Sequence, residues 1–508
     1  MTQTAADVKT GLPTFYWYDY ETFGVDPRKD RPAQFAGRRT GVDLEPIEGL
    51  EGEIFYCRPT EDQLPSPESC LLTGITPQLC AEKGLCESEF AEKVWERLNM
   101  PGTVNIGYNT LGFDDEVNRF LFWRNFLDPY SHSWVKGCSR WDLFPVVCAA
   151  WALRGDDIKW PQWEEIDQTV YPKAAGRKGV CFKLEFLTKF NGITHGHAHD
   201  ALSDVDATIG LAKLLAEKEP RLWKWAFENR TTAKVTEAVA DMKPVVWVTP
   251  RFGISRGCTG VAACFYKEKH DCWMWDLMED PTMLMSLSFE EVKHRMFLSM
   301  EDRAAGLERL PVRRLKANAS PFVCANLKVL SADRAQKYGI DFNVVAENLE
   351  KLKSVAPRVQ SLFAELAGER RSGDDDPKAV DADSALYAGG FTSSSDKARF
   401  VKIRAMDPQA LAQEASKFRF DGIYFREMLL RYRARNWPDT LTSEEAGKWK
   451  QFCSERLMEG RNGALKLTDY FDLIDEAQSS GAYDDEAHQQ VLEALYDWGE
   501  ELGSRLSE

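Results

Sequence analysis

Phe15-Tyr16-Trp17-Tyr18-Asp19-Tyr20-Glu21-Thr22-Phe23-Gly24 opens as an aromatic run of strand type and then places two carboxylates two residues apart. Side chains on a strand alternate with a period of two, so Asp19 and Glu21 share one face. Neighbouring carboxylates repel, and each raises the other's pKa unless a cation lies between them. Hard oxygen ligands at this spacing suit Mg²⁺ or Mn²⁺. Asp-x-Glu by itself is a common tripeptide, and a solvated strand end bearing two ordinary acids reads the same way.

Two more stretches bring acids to helix starts. In Gly107-Tyr108-Asn109-Thr110-Leu111-Gly112-Phe113-Asp114-Asp115-Glu116, Asn109 and Gly112 make a turn and Asp114 opens a helix. Val117, Phe120, Leu121 and Leu127 then follow at helical spacing. The macrodipole also favours acids at a helix N-terminus, so this stretch alone is ordinary. Gly196-His197-Ala198-His199-Asp200-Ala201-Leu202-Ser203-Asp204 puts His199 just before a helix and Asp204 in its first turns, with Leu202, Val205, Ile209, Ala212 and Leu215 continuing the stripe. A histidine beside carboxylates and near a metal is a candidate general base. His195, His197 and His199 alternate, so they also read as a His-rich metal site on an extended segment, or as plain loop residues. No cysteine lies near them to complete a structural zinc site. Strand followed by helix, repeated, indicates an α/β layer domain.

The chain has 508 residues, enough for two to four domains. Its 44% hydrophobic and 12% aromatic content excludes wholesale disorder and any collagen-like or coiled-coil rod. No apolar run reaches the ~20 residues of a membrane span, and Met1–Pro13 lacks the apolar core of a secretory signal. Twelve scattered cysteines without a Cys-x-x-Cys pair argue for a reducing cytoplasm. The net charge of -16 is uneven: Asp469–Glu508 holds twelve Asp/Glu and one Arg, leaving only -5 on the other 468 residues. Most of the chain therefore has room for basic patches. After about Arg230 the texture changes to short β-prone runs, Val245–Val248, Val261–Tyr266 and Cys272–Leu277, which is how a small barrel reads, before Val344–Leu366 returns to helix. Beyond the polar Gly373-Asp374-Asp375-Asp376-Pro377 linker the pattern is helical, and Leu492, Leu495, Tyr496 and Leu502 mark the acidic tail as a docked helix.

The order of these pieces is more specific than any one of them. Asp-x-Glu on a strand, Asn-x-x-x-Phe-Asp opening a helix and His-(four residues)-Asp opening another resembles the DEDDh exonuclease superfamily, whose fold is RNase H-like. Tyr18–Gly24, Asp30-Arg31-Pro32-Ala33-Gln34-Phe35, Thr73-Gly74-Ile75-Thr76-Pro77, Ser139-Arg140-Trp141-Asp142-Leu143 and Tyr432-Arg433-Ala434-Arg435-Asn436 narrow the resemblance to the bacterial exodeoxyribonuclease I family. It implies a multidomain α/β chain: an RNase H-like exonuclease domain over 12–220, an SH3-like β-barrel domain with flanking helices over 221–372, and a helical C-terminal domain over 378–508. It implies a processive 3′→5′ exonuclease that degrades single-stranded DNA to 5′-mononucleotides in DNA repair and recombination. The family arranges its three domains as a C around the strand.

The implied chemistry uses two Mg²⁺ ions, with Mn²⁺ a plausible substitute, to activate water and stabilise the leaving 3′-oxyanion. Asp19 is expected on both ions, Glu21 and Asp204 as further inner ligands, and Asp114 on the second ion. Glu21 is also expected near the terminal 3′-hydroxyl, and His199 as the base. Arg119, Tyr130 and Trp134 fall where the family contacts its strand, and arginines among aromatics suit sequence-neutral binding. Arg256 is a further candidate, as are Arg433, Arg435 and the cluster Arg313-Arg314-Leu315-Lys316, which also reads as a solvated strand face. Lys183 replaces a family arginine and lacks its bidentate fork. Before it, Tyr171–Val180 has the character of an insertion carrying Lys173, Arg177 and Lys178. Arg154 falls where the family binds the acidic C-terminal tail of single-stranded-DNA-binding protein, or is an ordinary surface arginine. A monomer without membrane association is expected. A DEDDh nuclease acting on RNA 3′ ends and a non-catalytic single-strand DNA adaptor are the competing readings.

Overall fold

Every residue of Phe15–Tyr18 is out of solvent, as befits a strand covered on both faces. In the computed structural model, which describes residues 11–196, 200–372, 380–388 and 390–507, this strand is the middle of a five-stranded sheet. The strands are β1 (Thr14–Thr22), β2 (Pro32–Gly41), β3 (Glu53–Tyr56), β4 (Thr103–Gly107) and β5 (Ser139–Asp142), in the spatial order β3-β2-β1-β4-β5. The first three pair antiparallel, and β4 runs parallel to β1. Tyr16, Tyr18 and Tyr20 gather on Phe35 on one side of β1 and pack under the helices Glu87–Leu98 and Asp114–Arg124. By the period of two, Phe15, Trp17, Asp19 and Glu21 take the other side. Gly107 is required where β4 passes β1, because a Cβ there would stand 2.7 Å from the Tyr18 carbonyl oxygen.

The chain resolves into two compact units. One comprises Met1–Arg140, His195–Asp206 and Asp375–Glu508, so the helical C-terminal residues share cores with the first sheet. Phe120, Trp123 and Phe126 pack with Leu386, Phe400 and Phe425. Phe23, Leu64 and Leu71 pack with Tyr470, Leu492, Leu495 and Leu502. The acidic tail is thus the docked helix Glu486–Ser507; Tyr496 departs from the expected stripe and is 44% exposed.

The expectation that Arg433 and Arg435 offer a basic surface is corrected. Both are buried on the helix Phe425–Asn436. Arg433 donates to Glu445 at 2.6 Å and to the Thr440 carbonyl at 2.9 Å. Arg435 bonds Asp62 at 2.8 Å and Asp383. Arg31 bonds the same two acids, at 3.0 and 3.4 Å. Burial without such partners would be prohibitive for a guanidinium, so neither group is open to phosphate, and Arg435 ties the helical residues to the segment that holds Asp62.

The other unit, Trp141–Thr194 with Ala207–Asp374, contains the second sheet. β6 (Pro244–Val248), β7 (Thr259–Glu268), β8 (Asp271–Asp276), β9 (Val312–Lys316) and β10 (Phe322–Cys324) are ordered β10-β6-β7-β8-β9, all antiparallel. Its interior holds Val245, Trp247, Ala262, Met274 and Leu315. The helix Phe342–Ser372 crosses the opposite face, with Phe363 4.7 Å from Phe265 and 5.5 Å from Trp273. The Arg313–Lys316 cluster is strand β9 at the edge of this sheet: Leu315 enters the core and Arg314 pairs with Asp271 at 2.7 Å.

Candidate functional site

Strand β1 delivers Asp19 and Glu21 at its end, and register places Glu21 opposite Gln34 on β2. The buried Gln34 side chain accepts a hydrogen bond from Ala201 N at 3.2 Å, which sets the first residue of the helix Ala201–Lys218 beside that register. One turn on, Asp204 meets the strand acids: Asp19, Glu21 and Asp204 each offer a carboxylate oxygen within 4.8 Å of the others. Asp114, at the start of its helix, accepts from Tyr20 N through Oδ1 at 3.1 Å. Tyr20 itself donates to Asn118 Oδ1 at 2.8 Å, so the helix start is tied to β1 twice.

The electrostatics follow from this crowding. Burial, followed by Asp114, Glu21 and Asp204, raises the Asp19 carboxyl well above the usual range. Burial, followed by Asp204, Asp114 and Asp200, pushes Glu21 up to about 8. Among the described residues, burial and neighbouring carboxylates are what shift both groups. An all-oxygen donor set that is mutually repulsive fits a hard divalent cation.

Asp115 faces elsewhere. It is fully buried between Arg140 at 2.5 Å, His132 Nε2 at 2.8 Å and Arg119 at 2.9 Å. Burial pushes its carboxyl up, but Arg140, Arg119 and the His132 hydrogen bond outweigh that and hold it well below the usual range. Asp115 and Gln34 are supports that motif reading had not singled out; their signal was only adjacency to a motif acid and membership of a quoted stretch. His195, one of the three alternating histidines, has its Nε2 2.6 Å from Asp204 Oδ1. His197 and His199, and with them the general-base expectation, lie outside the described residues.

Near the Asp114 helix, Arg119 lies over the Tyr130 ring at 5.4 Å, pairs with Glu116 at 2.7 Å and donates to Tyr387 Oη at 3.1 Å. Trp134 is 67% exposed, whereas Phe120, Phe122 and Trp123 are buried in the core. In the other unit, Arg256 makes two hydrogen bonds to the buried Asp276, at 2.6 and 3.2 Å. Arg313 reaches the same carboxylate at 3.5 Å, and both guanidiniums lie on Phe252, at 5.2 and 4.4 Å. Two cations share one acid, which leaves a net positive face. Lys183 pairs with Glu185 at 3.1 Å and lies over Tyr171 at 4.8 Å. Arg154 donates to the Val329 carbonyl at 3.0 Å and lines a cavity of about 550 Å³ with Lys218, Arg221, Trp225, Phe322 and Lys328. The one acid in its wall, Glu219, accepts from Gly155 N at 3.0 Å.

This sheet, with a cluster of carboxylates at the end of its central strand, defines a divalent-metal-dependent exonuclease of RNase H-like fold. The Exonuclease family model matches residues 16–212, the Exonuclease I SH3-like domain matches 229–366 and the Exonuclease I C-terminal domain matches 380–502. Exodeoxyribonuclease I of Haemophilus influenzae is 36% identical over 500 residues, 96% of this chain and 98% of that protein. Escherichia coli exonuclease I in complex with a dA16 oligonucleotide superposes with a TM-score of 0.85 at 34% identity, over 97% of this chain and 100% of the other. A structure of SSB/exonuclease I in complex with an inhibitor gives 0.82 at 34% identity, over the same shares. The chain belongs to the exonuclease I family.

Proposed function

We propose that the chain is a 3′→5′ exonuclease that hydrolyses single-stranded DNA processively to 5′-mononucleotides, as a cytoplasmic monomer serving DNA repair and recombination. The observation that carries this reading is the meeting of Asp19, Glu21 and Asp204 within 4.8 Å, all from one chain. Twelve free, buried thiols agree with a reducing compartment. Asp19 is assigned to two Mg²⁺ ions, Glu21 and Asp204 complete their inner ligands, and Asp114 serves the second ion directly or through water. Bound divalent ions supply an activated water and stabilise the charge that develops on the leaving 3′-oxygen. His199, five residues before Asp204, takes the proton of the attacking water. Glu21 also orients the terminal 3′-hydroxyl. Arg119, Tyr130 and Trp134 hold the strand near its end, and Lys183 and Arg256 hold phosphates by charge, so selection is by single-strandedness rather than sequence.

The test is release of labelled mononucleotides in Mg²⁺. Single-stranded DNA should be degraded from its 3′ end and blunt duplex spared, with rates falling steeply as salt rises. Preference for RNA ends would favour the RNA nuclease reading, and binding without release would leave only an adaptor.

The cavity at Arg154 is assigned to the acidic C-terminal tail of single-stranded-DNA-binding protein. Its cations match the tail's acids. Calorimetry with a tail peptide should give micromolar affinity, as expected of a short charged anchor. Arg154→Glu should weaken it while nuclease activity on naked DNA persists; unchanged affinity would place the partner elsewhere.

A further inference from the structure

Residues 160–181 form a closed loop with a core of its own. Trp163 N donates to the Gly179 carbonyl and Cys181 N to the Pro161 carbonyl, each at 2.8 Å, so the chain enters and leaves side by side. Gln162 and Val180 form an isolated antiparallel bridge, and Glu164 accepts from Gly179 N at 3.0 Å. Trp163, Ile166, Ala174 and Cys181 are buried together, with Tyr171 and Phe186 packed against them. A loop closed and filled by its own side chains presents its tip in a defined shape before any partner arrives.

The tip is chemically distinctive. Between Asp167 and Glu185 the sequence has four cations, Lys173, Arg177, Lys178 and Lys183, and no acid, in a chain whose net charge is -16. Lys173, Arg177 and Lys178 are exposed. Trp163 and Tyr171 stack at 6.3 Å and 27°, and each ring carries a cation, Arg177 at 4.7 Å from Trp163 and Lys183 at 4.8 Å from Tyr171. Among the described residues no carboxylate pairs with Arg177 or Lys178. Core packing gives no reason for exposed cations here, since the buried cluster is complete without them. Two cations held on aromatic rings, Lys183 shared with Glu185 and Arg177 not, beside the exposed Lys173 and Lys178, suit a polyanion bound without regard to sequence.

We infer that this loop is an auxiliary phosphate-contacting surface for the single-stranded DNA that the active site cleaves, an inference that rests on the nuclease reading above. Arg177 and Lys183 are pre-positioned by their rings, and Lys173 and Lys178 widen the positive field around them. Its contribution is electrostatic, so it carries a salt signature. Each phosphate contact to a single strand adds about 0.7 to the slope of log affinity against log salt.

The experiment measures equilibrium binding of labelled oligothymidylate over a salt series in EDTA, which withholds the metal and prevents hydrolysis. Arg177→Gln with Lys178→Gln should weaken binding and lower the slope by about 1.4. Arg177 packs on Trp163, so its loss could loosen the loop. Lys178→Gln alone leaves the loop core untouched and should lower the slope by about 0.7. Lys448→Gln, an exposed lysine of the helix Ser443–Glu459 paired with Glu444, serves as the charge-matched control and should retain the native slope. If the native protein degrades oligothymidylate in Mg²⁺ while both variants keep its affinity and slope, the loop inference is overturned and the nuclease reading stands. If the native protein neither degrades nor binds the oligonucleotide, the nuclease reading itself fails.

Discussion

Asp19 and Glu21 are carboxylates whose charged forms are opposed by burial and by neighbouring acids, Asp114 and Asp204 among them, and a divalent cation relieves both effects. Asp19→Asn removes one repelling charge and one inner ligand while keeping the side chain's shape. It should abolish hydrolysis yet unfold in EDTA at a temperature no lower than the native protein. The rise in melting temperature that Mg²⁺ gives the native protein should disappear. Near-normal turnover in Mg²⁺ would sink the metal-ligand assignment. For His199→Ala, single-turnover rates should fall about 10²–10⁴-fold while single strands still bind. A change in binding alone would make His199 a DNA contact. The three alternating histidines mark the limit of reading at this scale. Their spacing left both a metal site and a plain loop open, and it could not reveal that His195 is the ring whose Nε2 lies 2.6 Å from Asp204. His195→Gln, which keeps a donor toward that carboxylate, should retain more activity than His195→Ala.

The elements that carry the site were legible because their periodicity is local. Aromatic residues running into Asp19 and Glu21 gave β1, and a helical stripe after Asp114 gave the helix Asp114–Arg124. The runs at Val245, Val261 and Cys272 gave β6, β7 and β8. What lay beyond reach was the division of labour between adjacent acids. Asp114 and Asp115 read alike as acids at a helix start, but one turns to the β1 backbone and the other into a pocket of Arg119, His132 and Arg140. Residues 132 and 140 arrive there only through tertiary folding. Asp115→Ala should therefore destabilise the fold by about 3 kcal/mol or more, since it strands cations that are mostly buried. Urea unfolding measures this, and the Mg²⁺-induced rise in melting temperature should persist because the metal ligands remain. Loss of that rise with an unchanged urea midpoint would make Asp115 part of the metal site.

Across the whole molecule, domain texture was readable but the adhesive between segments was not. Arg433 and Arg435 read as basic surface because a helix pattern gives no sign of acids supplied by other segments, Glu445 to Arg433 and Asp383 and the distant Asp62 to Arg435. Asp62, Asp383, Arg31 and Arg435 nevertheless close into one buried network within a single compact unit. Arg431 joins it through Asp383 at 3.1 Å, and Arg456 donates to the Asp62 carbonyl at 3.0 Å. Its pH dependence has a definite sign. Burial pushes the Asp62 carboxyl up, but Arg435, Arg31 and Arg456 more than reverse this, and the group ends far below the usual range. Asp383 follows the same course under Arg435, Arg431 and Arg31. In the unfolded chain both would titrate near ~3.9. Acids depressed in the fold contribute stability that is complete above the unfolded pKa and is lost as pH falls through the folded values. The network should thus leave the urea midpoint level between pH 7 and about 5 and lower it steeply below about 4. Arg435→Met should lower the stability already at pH 7, by about 3–5 kcal/mol for a buried pair broken on one side, and flatten the acid limb. An acid limb as steep in Arg435→Met as in the native protein would show that other carboxylates govern acid unfolding and that this network does not hold the helical segment to the sheet.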